Sequence, residues 1–326
     1  MCSNTSAVTG FVGEFAELLL QFIHMKQSLG FQYTTEAAIL QRFSRFTLAY
    51  GVTNPILTKE LVDAWLQKRP QEKEVTWEHR INTLRQFVRY LNDLGYSAYM
   101  PYRKRKILRN VYVPYIFTDE ELQRFFHACD QIPPHPLSQK CQVFPALFRV
   151  LYGCGLRISE ALALQMKDVD LAAGVLTIRR AKFDKDRLIP TSSSLTAYLA
   201  SYVKNVHALS GSGSYLFLNK DGTCPRADTV YKNFRTILWK SGISHGGPGR
   251  GPRLHDLRHS FATHALRHMV QQGMDLYCAL PILSTYLGHA SVAATERYVR
   301  LTADQYPDLL TTISQTCAGV FPEVPR

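Results

Sequence analysis

Between Asp93 and Asp119 the chain holds no acidic residue, while Arg103, Lys104, Arg105, Lys106 and Arg109 crowd together with Tyr99, Tyr102, Tyr112 and Tyr115 interleaved. Like charges this dense repel one another and resist burial, so the stretch YSAYMPYRKRKILRNVYVPYIFT cannot sit inside a core. It divides the 326 residues into two parts, each long enough to bury a hydrophobic core of its own. The expected organisation is therefore a first domain over 1–98, a basic linker over 99–117 and a second domain over 118–326.

The first part reads as helices. Phe15, Leu18, Leu19 and Phe22 fall at i, i+3, i+4 and i+7, the apolar stripe of an amphipathic helix that Gly30 stops. A second pattern runs from about Thr34 to Tyr50 and ends at Gly51, and Thr58 caps a short helix through Leu66. A fourth, from about Val75 to Leu94, turns Ile81, Leu84, Phe87, Val88 and Leu91 inward and closes at Gly95. Four short helices make a small all-α module.

Charge narrows the partner. Lys+Arg 38 against Asp+Glu 26 leaves a formal net charge of +12, a basic balance that points to a polyanion, most often nucleic acid. A linker tracking a phosphate backbone fits the same balance. No run of roughly 18 apolar residues occurs. The most apolar early stretch, FVGEFAELLLQFIHM, is interrupted by Glu14 and Glu17 and lacks a signal peptide's basic start and cleavage site, so a cytoplasmic protein away from membranes is expected. Seven scattered cysteines without a C-x-x-C pair argue against a disulfide scaffold and against a cysteine-rich zinc module.

The second part opens on a capping box, Thr118 with Glu121, and continues as a helix over Gln142 to Tyr152. The glycines of GCGLRISEALAL break that helix before the next begins. VLTIRR, AKFDKDR and LIP read as a β-hairpin, and YLFLNKDGT as a further strand ending at Asp221-Gly222. After the GGPGRGP loop the pattern is helical again. A mainly α domain with a small antiparallel sheet is expected.

Three motifs carry chemistry. Arg157 lies at a helix start, where the dipole disfavours a cation unless an anion is at hand, and Glu160 stands one turn on. RLHDLRHSFATH places His255 and Arg258 three apart on one helical face. The His255–His259 spacing suits zinc, yet Arg258 would set a fixed cation beside the metal, and no third carboxylate ligand follows at a metalloprotease spacing. A planar guanidinium suits phosphate oxygens instead. In LGHASVAATERY, Gly288 ends a helix, leaving His289 at the break and Tyr298 nine residues on.

The ordered series Arg157, hairpin lysine, His255-x-x-Arg258, Leu287-Gly288-His289 and Tyr298 closely resembles the tyrosine recombinase (phage integrase) family, across essentially the whole second domain. The resemblance implies a mainly α fold, with an N-terminal helical (SAM-like) core-binding domain, a basic linker and a mixed α/β, mostly helical catalytic domain. It implies an enzyme that breaks and rejoins DNA strands, with no cofactor. Tyr298 would attack the scissile phosphate, giving a 3′-phosphotyrosyl link and a free 5′-hydroxyl. Arg157 and Arg258 would clamp the non-bridging oxygens and His289 would add a hydrogen bond. His255 would assist proton transfer or charge stabilisation, Lys182 would protonate the leaving 5′-oxygen, and Glu160 would brace the site.

The hairpin lacks the glycines that often flank the family's lysine, so Lys185 stands as the alternative to Lys182. The segment between FATH and LGH is about two helical turns longer than usual. His259, His264 and His268 match no required role and are expected to pack or to face DNA. The resemblance further implies double-stranded recombination sites as substrate, a homotetramer on DNA joined by the C-terminal tail, and accessory DNA-bending proteins or co-recombinases. The tail could instead pack on its own domain. With the first helix starting near residue 11, no arm-binding domain is expected ahead of it. The competing classes are a catalytically silent DNA-binding protein of the same fold and a metal-dependent hydrolase built on His255 and His259.

Overall fold

The structure is a computed structural model that describes residues 10–102, 112–179, 186–207, 211, 213–247, 251–289, 295 and 298. It divides into two compact units, Met1–Val111 and Tyr112–Arg326.

The first unit contains α1 (Ala16–Ser28), α2 (Thr34–Ala49), α3 (Lys59–Leu66) and α4 (Glu74–Asp93). All four expected helices form. Thr58 caps α3 by accepting from the Leu61 N–H at 3.3 Å. Phe15, Phe22, Phe43 and Phe87 fill the core completely buried. Burying each such ring contributes about 1.5–3 kcal/mol. Arg80 is also buried and is satisfied by a bidentate pair with Glu72, at 3.1 and 2.6 Å, and by the carbonyls of Trp65 and Gln67. That pairing pins α4 to the end of α3, because a buried guanidinium left unpaired is strongly destabilising.

The second unit contains α5 (Asp119–Asp130), α6 (Lys140–Gly153), α7 (Ile158–Ala163), β1 (Val169–Asp170), β2 (Val175–Ile178), β3 (Arg187–Pro190), α8 (Ser193–Val206), α9 (Ala227–Lys240), α10 (Asp256–Gln271) and α11 (Leu276–Leu287). The capping box at Thr118 and Glu121 forms with both reciprocal bonds. The strands make one antiparallel sheet in the order β1-β2-β3, with Leu176 opposite Ile189. Helix α6 is buried along most of its length and packs against α5, α8 and α10.

One expectation changes. YLFLNKDGT is not a strand: it pairs only through a single bridge from Tyr215 to Gln165, while Leu216, Phe217 and Leu218 sink into the core. Its apolar run reflects burial rather than pairing. The third strand is instead the two-residue β1, too short to show alternation. The basic segment is also held at both ends. Tyr99 and Met100 pack against the first core. On the other side Tyr112 donates to Asp256, and the Phe117 N–H donates to Ser260 Oγ at 2.9 Å. Residues 103–111, with Arg103, Lys104, Arg105, Lys106 and Arg109, lie outside the described residues.

Candidate active site

The site is assembled where α6 ends, α7 and α10 begin, and α11 stops. Gly155 takes a left-handed backbone, φ +57°, and a Cβ there would fall 2.4 Å from the Phe261 ring. Only glycine fits that turn. Its carbonyl accepts from Arg258 Nη1 at 2.7 Å, so the GCG break serves the arginine as well as the chain reversal.

Arg157 stands at the N-cap of α7 in extended conformation. Its N–H donates to Glu160 Oε2 at 2.9 Å and its Nη1 to Oε1 at 2.7 Å. Arg187, at the start of β3, gives Glu160 a bidentate pair at 3.0 and 2.9 Å and donates its Nε to the Tyr286 carbonyl at 3.1 Å. Arg258 Nη1 lies 3.8 Å from the same carboxylate. Burial by itself would raise Glu160, but the Arg187 hydrogen bonds, the Arg157 N–H and both cations overcome it and hold the carboxyl at about 2. Three guanidinium charges thus meet one carboxylate among the described residues, leaving two positive charges unbalanced.

Arg258 is 1% exposed, and burial followed by Arg157 lowers it to about 10, still charged at neutral pH. Its Nη2 donates to the Leu287 carbonyl at 2.7 Å and to His289 Nε2 at 3.2 Å. Since an arginine can only donate, His289 Nε2 accepts, and the ring proton sits on Nδ1, which donates to Thr295 Oγ1 at 2.8 Å. His289 is therefore neutral; burial and then Arg258 and Arg157 hold it at about 4. His255, at the N-cap of α10 and open to solvent on one side, is likewise pushed to about 4, by the protein packed around it and then by Arg258 and Arg157.

His289 owes its place to a Schellman turn. Gly288 is left-handed, φ +64°, its N–H donating to Thr285 O and the His289 N–H to Ser284 O, both at 3.0 Å. The long segment between FATH and LGH forms the end of α10 and all of α11. Tyr298 is 3% exposed, its ring 6.2 Å from that of His289 at an interplanar angle of 10°. Its Oη is 3.0 Å from His259 Nδ1, and His259 in turn meets His255 edge-on at 4.8 Å.

Arg157, Glu160, His255, Arg258, His289 and Tyr298 are thus brought together. Lys182 and Lys185 lie outside the described residues, as does the tail after Tyr298. Sequence reasoning misses Arg187 and Thr295 and assigns His259 to packing or DNA contact. The i+4 spacing from His255 is the one signal that points to His259, and by itself it suggests a metal pair rather than a partner for Tyr298.

A model of the phage integrase family matches residues 116–305. A Sinorhizobium fredii protein described as the integrase/recombinase y4rB is 33% identical over 298 residues, 87% of this chain and 92% of that one. The tyrosine recombinase XerC of Oceanobacillus iheyensis is 32% identical over 231 residues, 69% and 70% of the two chains. Among solved structures, the Tn1549 transposon integrase in complex with a circular intermediate DNA aligns with TM-score 0.63 at 18% identity, covering 86% of this chain and 94% of that one. The XerH site-specific recombinase bound to its difH substrate aligns with TM-score 0.60 at 20% identity, covering 85% and 78%. At these identities the structural likenesses speak for the fold.

Proposed function

The chain belongs to the phage integrase family, the tyrosine recombinases, and from that premise we propose that Tyr298 is the nucleophile with which this site-specific recombinase cuts and rejoins DNA. The observation that carries this is the excess of two positive charges around Glu160, beside a phenol set between two histidines. A phosphodiester entering there supplies the missing anion.

Tyr298 Oη attacks the scissile phosphorus, the P–O5′ bond breaks, and Lys182 gives the leaving oxygen its proton. Arg157 and Arg258 hold the non-bridging oxygens as charge grows on them, the contribution that usually dominates such reactions. Arg157 is the more accessible cation, with 28% of its side chain exposed, and meets the phosphate first. Arg258 is already oriented by two carbonyls, so little reorganisation is needed at the moment of reaction. His289 switches tautomer, its Nδ1 accepting from Thr295 Oγ1 and its Nε2–H donating to a phosphate oxygen in place of the bond it accepts from Arg258. His255 sits at the mouth of the site and steadies the same oxygens. Glu160, ionised throughout, keeps Arg157 in place. The phosphotyrosyl link conserves the energy of the phosphodiester, so a 5′-hydroxyl of another strand reverses the step.

The partner is double-stranded DNA, with Arg103, Lys104, Arg105, Lys106 and Arg109 on its backbone. Similarity to an integrase/recombinase supports service to a mobile element in integration, excision or transposition. The active species is a homotetramer joined by the C-terminal tail, aided by accessory DNA-bending proteins or co-recombinases.

The test uses fragmented, nicked host genomic DNA incubated with the protein in EDTA. Protein-linked fragments that survive SDS are then retained and sequenced. Wild type is expected to retain a defined sequence and Tyr298→Phe none. Retention by the phenylalanine variant would overturn the nucleophile assignment, and DNA cleavage seen only without EDTA and with no protein-linked fragment would favour a metal-dependent hydrolase.

A further inference from the structure

We propose that His259 is a catalytic residue, the base that takes the phenolic proton of Tyr298 during strand cleavage; this rests on Tyr298 being the nucleophile. His259 follows Arg258 on α10 and is 9% exposed. Its Nδ1 stands 3.0 Å from Tyr298 Oη, with the two ring centroids 5.7 Å apart at 50°. That is the reach over which a side chain moves a proton, about 2.6–3.2 Å.

The neighbouring groups are already occupied in ways that leave this role to His259. His289 lies parallel to the Tyr298 ring, but its Nε2 accepts from Arg258 and its Nδ1 donates to Thr295. His255 faces His259 edge to face, and the Arg258 guanidinium is turned to the Gly155 and Leu287 carbonyls. Tyr298 and His255 face His259 directly, and Arg258 precedes it on α10. A base is needed because a phenol with a pKa near 10 is ionised only about one part in a thousand at pH 7.

In the forward step Nδ1 is unprotonated and Nε2 carries the ring proton. As the Oη–P bond forms, the O–H electron pair stays on Oη and the proton passes to Nδ1. The P–O5′ bond breaks with its pair on O5′, which takes a proton from Lys182. In rejoining, the 5′-hydroxyl attacks the phosphotyrosine and the His259 imidazolium returns its proton to the phenolate. His259 ends neutral, and no other reactant is consumed.

The test follows adduct formation in a single turnover on a nicked duplex of the sequence recovered with wild type, from about pH 5.5 to pH 9. An asparagine places an amide atom near the position of Nδ1 and can hold the phenol, but it cannot accept its proton. His259→Asn is expected to lose roughly 10²–10⁴-fold in rate, a general base's usual contribution, while DNA affinity and thermal midpoint stay near wild type. Its remaining rate should climb about tenfold per pH unit, since the phenol must then ionise unaided, whereas wild type levels off once His259 is neutral. An asparagine variant within about threefold of wild type, with the same pH profile, would overturn the proposal and leave His259 as a seat for the ring. If that variant does not fold, the wild-type profile decides alone: a rate climbing without a plateau to pH 9 contradicts a histidine base. Adduct formation by Tyr298→Phe would instead sink the nucleophile assignment on which the proposal rests.

Discussion

Glu160 is the residue on which the cation cluster depends, and Arg187 is its firmest partner. Replacing Arg187 with alanine leaves a nearly buried carboxylate hydrogen-bonded to Arg157 and 3.8 Å from Arg258 among the described residues, which is expected to cost about 2–4 kcal/mol, toward the range for breaking a buried pair. Thermal denaturation measures the loss, and the adduct rate should fall with it as Arg157 loosens; wild-type values for both would contradict the role given to Glu160. Gly155→Ala combines a left-handed backbone with a Cβ 2.4 Å from Phe261 and is expected to cost about 1–3 kcal/mol. A chemical denaturation midpoint equal to wild type would show that the turn relaxes freely.

Stability at the same residues should depend on pH. His255 and His289 sit near 4 in the folded chain against 6.5 when unperturbed, so between those values the unfolded chain binds more protons and stability falls as pH drops. Glu160, at about 2 against 4.5, continues the loss as pH falls from 4.5 toward 2. The thermal midpoint should therefore decline from about pH 6.5 downward, and a flat profile would contradict the neutral histidines. Arg187 and His259 escaped the sequence because their partners lie 27 and 39 residues away. No local spacing encodes either contact, whereas Arg157 and Glu160, three apart, are legible at a glance.

Among the elements, α11 shows how a helix end places a functional group. The Schellman turn at Gly288 sets both the Leu287 carbonyl that receives Arg258 and the ring of His289. A Cβ on residue 288 would be strained by its φ and would approach Arg187 Nη1 to 3.0 Å. Gly288→Ala is therefore expected to slow adduct formation by roughly 10²-fold through misplacement of His289, with DNA affinity little changed; an unaltered rate would contradict that reading of the turn. The helices of the first unit were plain in the sequence because periodicity, caps and terminal glycines agree there. The sheet was half legible. The β2–β3 hairpin has length and alternation, but β1 is too short to register, and the buried LFL of residues 216–218 mimics a strand without its partners.

Across the molecule, the acid-free segment that first split the sequence lies between two independently cored units, and its ends are tied to each core separately. Within the stretch 99–117, Tyr99 packs on the first core and the Phe117 N–H is held by Ser260, contacts that the charge pattern alone does not distinguish. Replacing Arg103, Lys104, Arg105, Lys106 and Arg109 with glutamine should reduce the slope of log affinity against log salt by up to about 4.5, at about 0.9 per lost phosphate contact. An unchanged slope would remove these cations from the DNA backbone.

The central claim is covalent, and it can be read directly. Arg297 and Arg300 bracket Tyr298, so trypsin releases the nucleophile in a three-residue peptide, 298–300. After adduct formation in EDTA, nuclease trimming and trypsin, tandem mass spectrometry should find that peptide carrying a nucleotide through its 3′-phosphate on the tyrosine. A nucleotide on any other residue, or an adduct whose 298–300 peptide is unmodified, would contradict the account.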